Sequence, residues 1–137
     1  MVNIIINGDS RYKVSKTVIQ SAVVSTLSNY GTHGKVEVEV SIVGDRKMHQ
    51  LNRTYRGIDA TTDILTFALE DPTPQNITQQ RSVGFISYPD NWLRLGSVLI
   101  SYPQALKDAA TDGKSVDEEI SFLVEHGCKH LLGIHHS

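Results

Sequence analysis

The sequence predicts an α+β domain in which a mixed four-stranded sheet packs with helices. Three observations lead there. Val36-Glu-Val-Glu-Val-Ser-Ile42 alternates strictly between apolar and polar residues, the period of a β-strand with two unlike faces. Helix-spaced apolar stripes follow serines placed as N-caps. The resulting order, β-α-β-α-β-β-α-α, mixes crossovers with adjacent strands, and 137 residues suit one domain with one core.

Each element has a local cause. Val2 to Ile6 is a short apolar run and reads as a buried strand. Ser15 is a candidate N-cap, since Val14 before it and Ile19 can form a hydrophobic staple. Ile19, Val23 and Leu27 continue that face, and Gly31 can stop the helix in a left-handed conformation. Asp45 to Tyr55 reads as a second helix with Met48, Leu51 and Tyr55 facing inward, and Asp63 to Leu69 as a third strand. Residues 71–94 are polar, hold three of the four prolines and lack sustained periodicity; they read as a long insertion, with a small hairpin around Val83 to Ser87. Leu95 to Ser101 returns to a strand, and Ser101 caps a helix opened by Pro103. Ser115-Val-Asp-Glu118 has the capping-box pattern and starts the last helix.

Composition excludes several classes. Apolar residues at 39% and charged residues at 20% are ordinary for a globular chain, and no apolar run approaches the roughly 18 residues of a membrane span. The first residues lack a basic region and a long enough apolar run for a signal peptide. The single cysteine, Cys128, excludes an internal disulfide framework, so a cytoplasmic location is the expectation and no membrane partner is foreseen. A net charge of −2 gives no bulk footprint for nucleic acid, so any such role must rest on local features.

The strongest local feature is a cluster of four histidines in the last twelve residues. On a helix, residues four apart differ by about 40° in azimuth and about 6 Å along the axis, so His126 and His130 can converge on one ion. They sit at the edge of the apolar stripe of Val116, Ile120, Leu123, Val124, Gly127 and Leu131, a place for a cleft wall rather than a deep core. Gly133 can turn the chain back, so that His135 or His136 supplies a third ligand. Three nitrogens and an open fourth position describe a catalytic zinc site. A metalloprotease of the H-E-x-x-H type is excluded, because Gly127 stands where its glutamate base would be. The plainer alternative is that two histidines on a half-buried helix are simply packed and hydrogen-bonded.

His126-Gly-x-x-His130-Leu-x-Gly133-x-x-His136 resembles the H-G-x-L-H-L-x-G-x-D-H signature of the YbeY family of RNA-processing endoribonucleases. Leu51-Asn-x-x-Tyr55-Arg56-Gly57-x-Asp59-x-x-Thr62-Asp63-Ile64-Leu65-Thr66-Phe67 resembles that family's L-N-x-x-x-R-x-x-D-x-x-T-D-V-L-S-F, and Leu95-Gly96-Ser97-Val98-Leu99-Ile100 is similar to its G-D-I strand start. The resemblance implies an α+β fold with a metal cleft on the C-terminal helix. It implies one zinc ion per chain held by His126, His130 and His136, and a functional Arg56. It also implies a single-strand-specific endoribonuclease acting in 16S ribosomal RNA maturation and ribosome quality control, with ribosomal RNA and small-subunit components as partners. Ser97, His135 and Lys129 depart from the pattern, standing for aspartate, aspartate and an apolar residue. Two other readings stay open: a non-catalytic ribosome-associated module with a structural zinc, closed by His135 as fourth ligand, and a metal-dependent hydrolase of another substrate.

Further residues are weighed beside these. Arg46, His49, Arg53 and Arg56 fall within about 80° of one another on the second helix and are candidates for a cation near the scissile phosphate; exposed arginines serving only solubility are the alternative for Arg46 and Arg53. Cys128 points away from the histidines and reads as core. Asp63 is equally a support for a metal ligand or a strand cap. Tyr88 and Trp92 are available to stack on bases or to anchor the insertion.

Overall fold

The computed structural model describes residues 1–32, 34–69 and 92–134. Its elements follow the expected order: β1 (Val2–Asn7), α1 (Lys16–Asn29), β2 (Val36–Val43), α2 (Asp45–Arg56), β3 (Ile64–Ala68), β4 (Leu93–Ser101), α3 (Tyr102–Asp112) and α4 (Val116–Leu131). The sheet runs β1-β2-β4-β3, with β1, β2 and β4 parallel and β3 antiparallel to β4. It is therefore mixed and four-stranded, as the sequence predicts. The hairpin expected at 83–87 lies outside the described residues. No helix among the described residues is long and apolar enough to cross a membrane.

The caps are those the sequence predicts. Ser15 accepts from the Val18 amide, Ser101 from Gln104, and Ser115 forms a full capping box with Glu118. Gly31, one residue past the α1 cap, has φ +68°. Strand β4, however, begins at Leu93 rather than Leu95. Leu93 and Arg94 belong to the sheet: they pair with Val36 and Glu37, and Arg94 Nε meets Glu37 Oε2 at 3.2 Å. An exposed leucine and an arginine at a strand end look like loop in sequence. The pairing then skips Leu95, passing from Arg94 to Gly96. At this bulge Gly96 has φ +141°, and a Cβ there would collide with the Phe67 carbonyl oxygen of β3.

The sheet lies between two helical layers. On one face Ile19, Val23 and Leu27 of α1 meet Val36, Val38 and Val40 of β2, Val98 and Ile100 of β4, and Ile120, Val124 and Leu131 of α4. On the other face Met48 and Leu51 of α2 cover Leu65, Phe67 and Leu99. The polar face of β2 is consequently half-buried rather than wet; Glu37 accepts from Asn3 at 2.8 Å and Glu39 from Ser97 at 3.0 Å. The start of α2 is tied to the end of β4 through Asp45. Burial alone would raise its pKa, but donors from Ser101 (2.8 Å), Gln104 (3.1 Å) and Thr61 (3.2 Å) prevail and hold it below the usual carboxylate range.

Helix α4 approaches the sheet unusually closely at Gly127. A Cβ on this residue would stand 2.7 and 2.9 Å from the two Val98 methyls and 3.2 Å from Ile64 Cδ1. Val98 is fully buried and β-branched, so it cannot swing away. Gly127→Ala gains about 1 kcal/mol of helix propensity but overpacks a site where insertion costs up to about 3 kcal/mol. A net loss of about 1–2 kcal/mol in urea unfolding is expected, partly recovered when Val98→Ala is added. A Gly127→Ala protein as stable as the parent would contradict the close approach.

Candidate active site

Because Gly127 brings α4 onto β3 and β4, the residues flanking it are held at the sheet's edge. His126 and His130 are half-buried, with Nε2 atoms 3.1 Å apart and rings at 73°. Phe122, one turn earlier, lies nearly parallel to the His126 ring at 6.3 Å between centroids. Beyond the histidines the helix ends in a Schellman turn: Gly133 takes φ +79°, its amide reaches the His130 carbonyl, and the Ile134 amide reaches Lys129 at 2.8 Å. Gly133 thus stops the helix as its position predicts.

The two histidines form one wall of a cleft of about 550 Å³, and Arg56 and Tyr55 at the end of α2 stand at the same cleft. Thr62, Ile64, Thr66 and Phe67 line its floor. Two sequence blocks separated by some seventy residues therefore meet at one place: the Arg56-Gly57 turn and the His126-Gly127 helix. Gly57 makes the meeting possible. At φ +69° it caps α2 and reverses the chain, so that 57–61 run back along the helix into β3.

Two imidazole nitrogens bonded to one tetrahedral ion at about 2.0–2.1 Å lie about 3.3 Å apart. The observed 3.1 Å suits that arrangement within a small side-chain adjustment, and it suits an N–H···N hydrogen bond as well. Among the described residues no third histidine, cysteine, aspartate or glutamate joins the pair. His135 and His136 lie outside the described residues.

The comparisons with known proteins agree with the converging blocks. The family model described as "Endoribonuclease YbeY" matches residues 5–137. The chain belongs to the YbeY family. Among its relatives named endoribonuclease YbeY, that of Roseiflexus castenholzii is 39% identical over 123 residues, covering 90% of this chain and 71% of the relative. That of Dehalococcoides mccartyi strain 195 is 36% identical over 135 residues, covering 98% and 77%. A solution structure from Thermotoga maritima shares the fold at a TM-score of 0.55, with 21% identity, over all of this chain and 75% of its own.

Three features of this YbeY-family chain correct the sequence reading. Tyr55 does not face inward: it is 65% exposed and sits edge-on to Phe67 at 5.2 Å, at the cleft mouth. Its expected place is taken by Asn52, which is 1% exposed, donates to the Ala60 carbonyl at 2.8 Å and accepts from Arg56 Nη1 at 3.4 Å. Asn52 thus ties the returning chain and the Arg56 guanidinium to the helix. The signal available beforehand was an amide four residues after Met48, on the same face as Met48 and Leu51. Arg46 and Arg53, thirdly, do not line the histidine cleft; with His49 they face a separate depression, where His49 Nε2 meets Asp59 at 2.7 Å and lowers its pKa. Cys128 is fully buried, as expected.

Asp63 neither lines the cleft nor merely caps β3. Its carboxyl faces Asp108 of α3, whose pKa is raised by burial, by the charge of Asp63 and by their shared hydrogen bond. Glu119 of α4 belongs to the same group. It is 3% exposed, its Oε2 has no hydrogen-bond partner among the described residues, and Lys114 Nζ stands 3.9 Å away. Burial raises its pKa, Lys114 opposes, and Asp108, Asp112 and Asp63 add to the rise. A carboxyl with a raised folded pKa favours folding while protonated, and this contribution is lost as pH rises through that pKa. Glu119→Gln removes the buried charge and offers the neighbouring carboxylates a donor. It should therefore stabilise the protein by about 1 kcal/mol at neutral pH. The gain should shrink as pH falls into the ordinary carboxylate range. Melting temperatures across pH 4 to 8 would test this, and a gain that grows toward acid would refute it.

Proposed function

We propose that this chain is a zinc-dependent endoribonuclease that cleaves single-stranded RNA, acting in 16S ribosomal RNA maturation and ribosome quality control in the cytoplasm, on ribosomal RNA carried by small-subunit components. The observation that carries the reading is the cleft itself: Arg56 lines the same cleft as His126 and His130, in a chain whose relatives are named endoribonucleases.

His126 and His130 would hold the ion, with His136 as third ligand. Two imidazoles with converging Nε2 atoms are the nitrogen donors that zinc favours. When bound, the ion supplies hydroxide at neutral pH by lowering the pKa of water toward about 7, and it polarises a phosphoryl oxygen. Arg56 provides a planar fork for two oxygens of the scissile phosphate and offsets the charge that grows in the transition state. Asn52 limits where that guanidinium can go, so less freedom is lost when phosphate arrives. The exposed ring of Tyr55 offers a base a stacking surface at the mouth, a contact that every base can make. Phe122 restrains the His126 ring from behind.

The two roles separate by mutation. His130→Ala should lose zinc and RNA cleavage together; full zinc occupancy in this variant would refute the ligand assignment. Arg56→Glu should keep zinc and melting temperature while cleavage falls at least about 100-fold, the scale of losing one transition-state donor. Cleavage at the parent rate would remove Arg56 from the mechanism, and a fall in melting temperature would make it a structural turn residue.

A further inference from the structure

We propose that the outer face of α2 is a track for a single RNA strand, leading from the histidine cleft to the carboxyl ends of β1 and β2; the proposal rests on the RNA reading above. Arg46, His49, Arg53 and Arg56 follow one another at steps of three and four residues, so they form one ridge about 15 Å long. That is room for more than one phosphate. Arg56 opens the ridge inside the histidine cleft. Arg46, His49, Gln50 and Arg53 line a shallow depression of about 350 Å³ along its middle. Arg46 and Gln50 also border a larger cleft of about 1090 Å³ at the ends of β1 and β2, lined by Lys47, Tyr12, Asp45 and Arg11, the last already paired with Asp9 at 2.7 Å.

Charge is distributed as such a track needs. Helix α2 carries four cations, Arg46, Lys47, Arg53 and Arg56, against one carboxylate, Asp45. Asp45 is already engaged by Ser101, Gln104 and Thr61. Arg46, Lys47, Arg53 and Arg56 are exposed, and among the described residues none enters an ion pair at 4 Å or less. Asp59 offsets part of the field at His49 and, more weakly, at Arg53. Six of the fifteen carboxylates, Asp108, Asp112, Asp117, Glu118, Glu119 and Glu125, lie on α3 and α4. In a chain of net charge −2, α2 thus carries a local excess of three positive charges.

Aromatic rings stand at both ends. Tyr55 is exposed at the histidine cleft, and Tyr12, half-buried, stacked on Tyr102 at 4.8 Å and with the Arg11 guanidinium 5.2 Å from its ring centroid, lines the far cleft. Cations along a groove with rings for bases is the chemistry that holds single strands without reading sequence. A polypeptide partner with acidic residues would match the charge but gain little from flat rings spaced beyond the ridge.

The test compares Arg46→Glu/Arg53→Glu with the zinc-loaded parent. Lys16→Glu/Lys35→Glu, two exposed sites away from α2, serves as a control with the same change of charge. Each protein is given single-stranded RNA of about 16 and about 4 nucleotides, spanning the usual range of site sizes. For the longer strand the α2 variant should show KM and Kd raised at least about 10-fold with kcat unchanged. Its salt dependence should be shallower by about 1.4 in log–log slope, because two phosphates are no longer neutralised. The short strand should be cleaved as by the parent, and the control should behave as the parent on both. Equal Kd of variant and parent for the longer strand, or equal losses on both lengths, would overturn the track and leave the nuclease reading standing. A zinc-loaded parent that cleaves neither strand would overturn the nuclease reading, while the Kd comparison would still decide the track.

Discussion

The contact between Gly127 and Val98 sets the distance from α4 to the sheet, and much of the molecule follows from that distance. With no side chain at 127, the helix backbone settles against β4 and β3, and Ile64 fills the remaining gap. The residues on either side of the glycine then have no choice of location. His126 and His130 emerge at the margin of the buried stripe, over β3 rather than over solvent. A larger residue would raise the helix and carry both imidazoles away from Arg56. The glycine in this motif is thus a spacer as well as the absence of a protease base, and one packing constraint accounts for both.

The contribution of α2 to the cleft depends on polar groups more than on packing. Helix α2 buries little besides Met48 and Asn52, with Leu51 half-covered. Its position is fixed at one end by Asp45 and at the other by Asn52, each holding partners from different elements. Asp45 joins α2 to the end of β4 and to α3; Asn52 joins it to the segment returning to β3. A helix held by hydrogen bonds at both ends can leave its outer face free for charge, which explains how one short element carries four cations without losing its place in the fold.

What is legible in the sequence is local. The serine caps, the glycine stops at Gly31 and Gly133, the alternation of β2 and the element order need no knowledge of neighbours, because each is settled within a turn or a strand. What escapes is set across the chain. The start of β4 at Leu93 depends on Val36 and Glu37, more than fifty residues away. Tyr55 lies at the surface because Asn52 finds the Ala60 carbonyl, a partner invisible to helical periodicity. The histidine pair and Arg56 are recognisable by motif, and their convergence follows from the fold. The arc of basic residues on α2 is also visible, but its division is not: β3 decides that Arg56 enters the cleft and that Arg46 and Arg53 remain outside it. Asp63 escapes for a similar reason, since its neighbours Asp108 and Glu119 come from helices later in the chain.

Cys128 lies between the two histidines in sequence and on the far side of the same helix, fully buried, with its thiol pushed up to about 12 mainly by that burial. Docked, it is inert, because neither a reagent nor its own thiolate is available. It becomes reactive only when α4 lifts from the sheet, the same movement that carries His126 and His130 away from Arg56. The chain holds a single cysteine, so its labelling rate is a clock for that one opening. Molecules caught by a thiol reagent are those whose histidine cleft has momentarily come apart, and the lifetime of the assembled cleft can be read from sulfur chemistry without any substrate present.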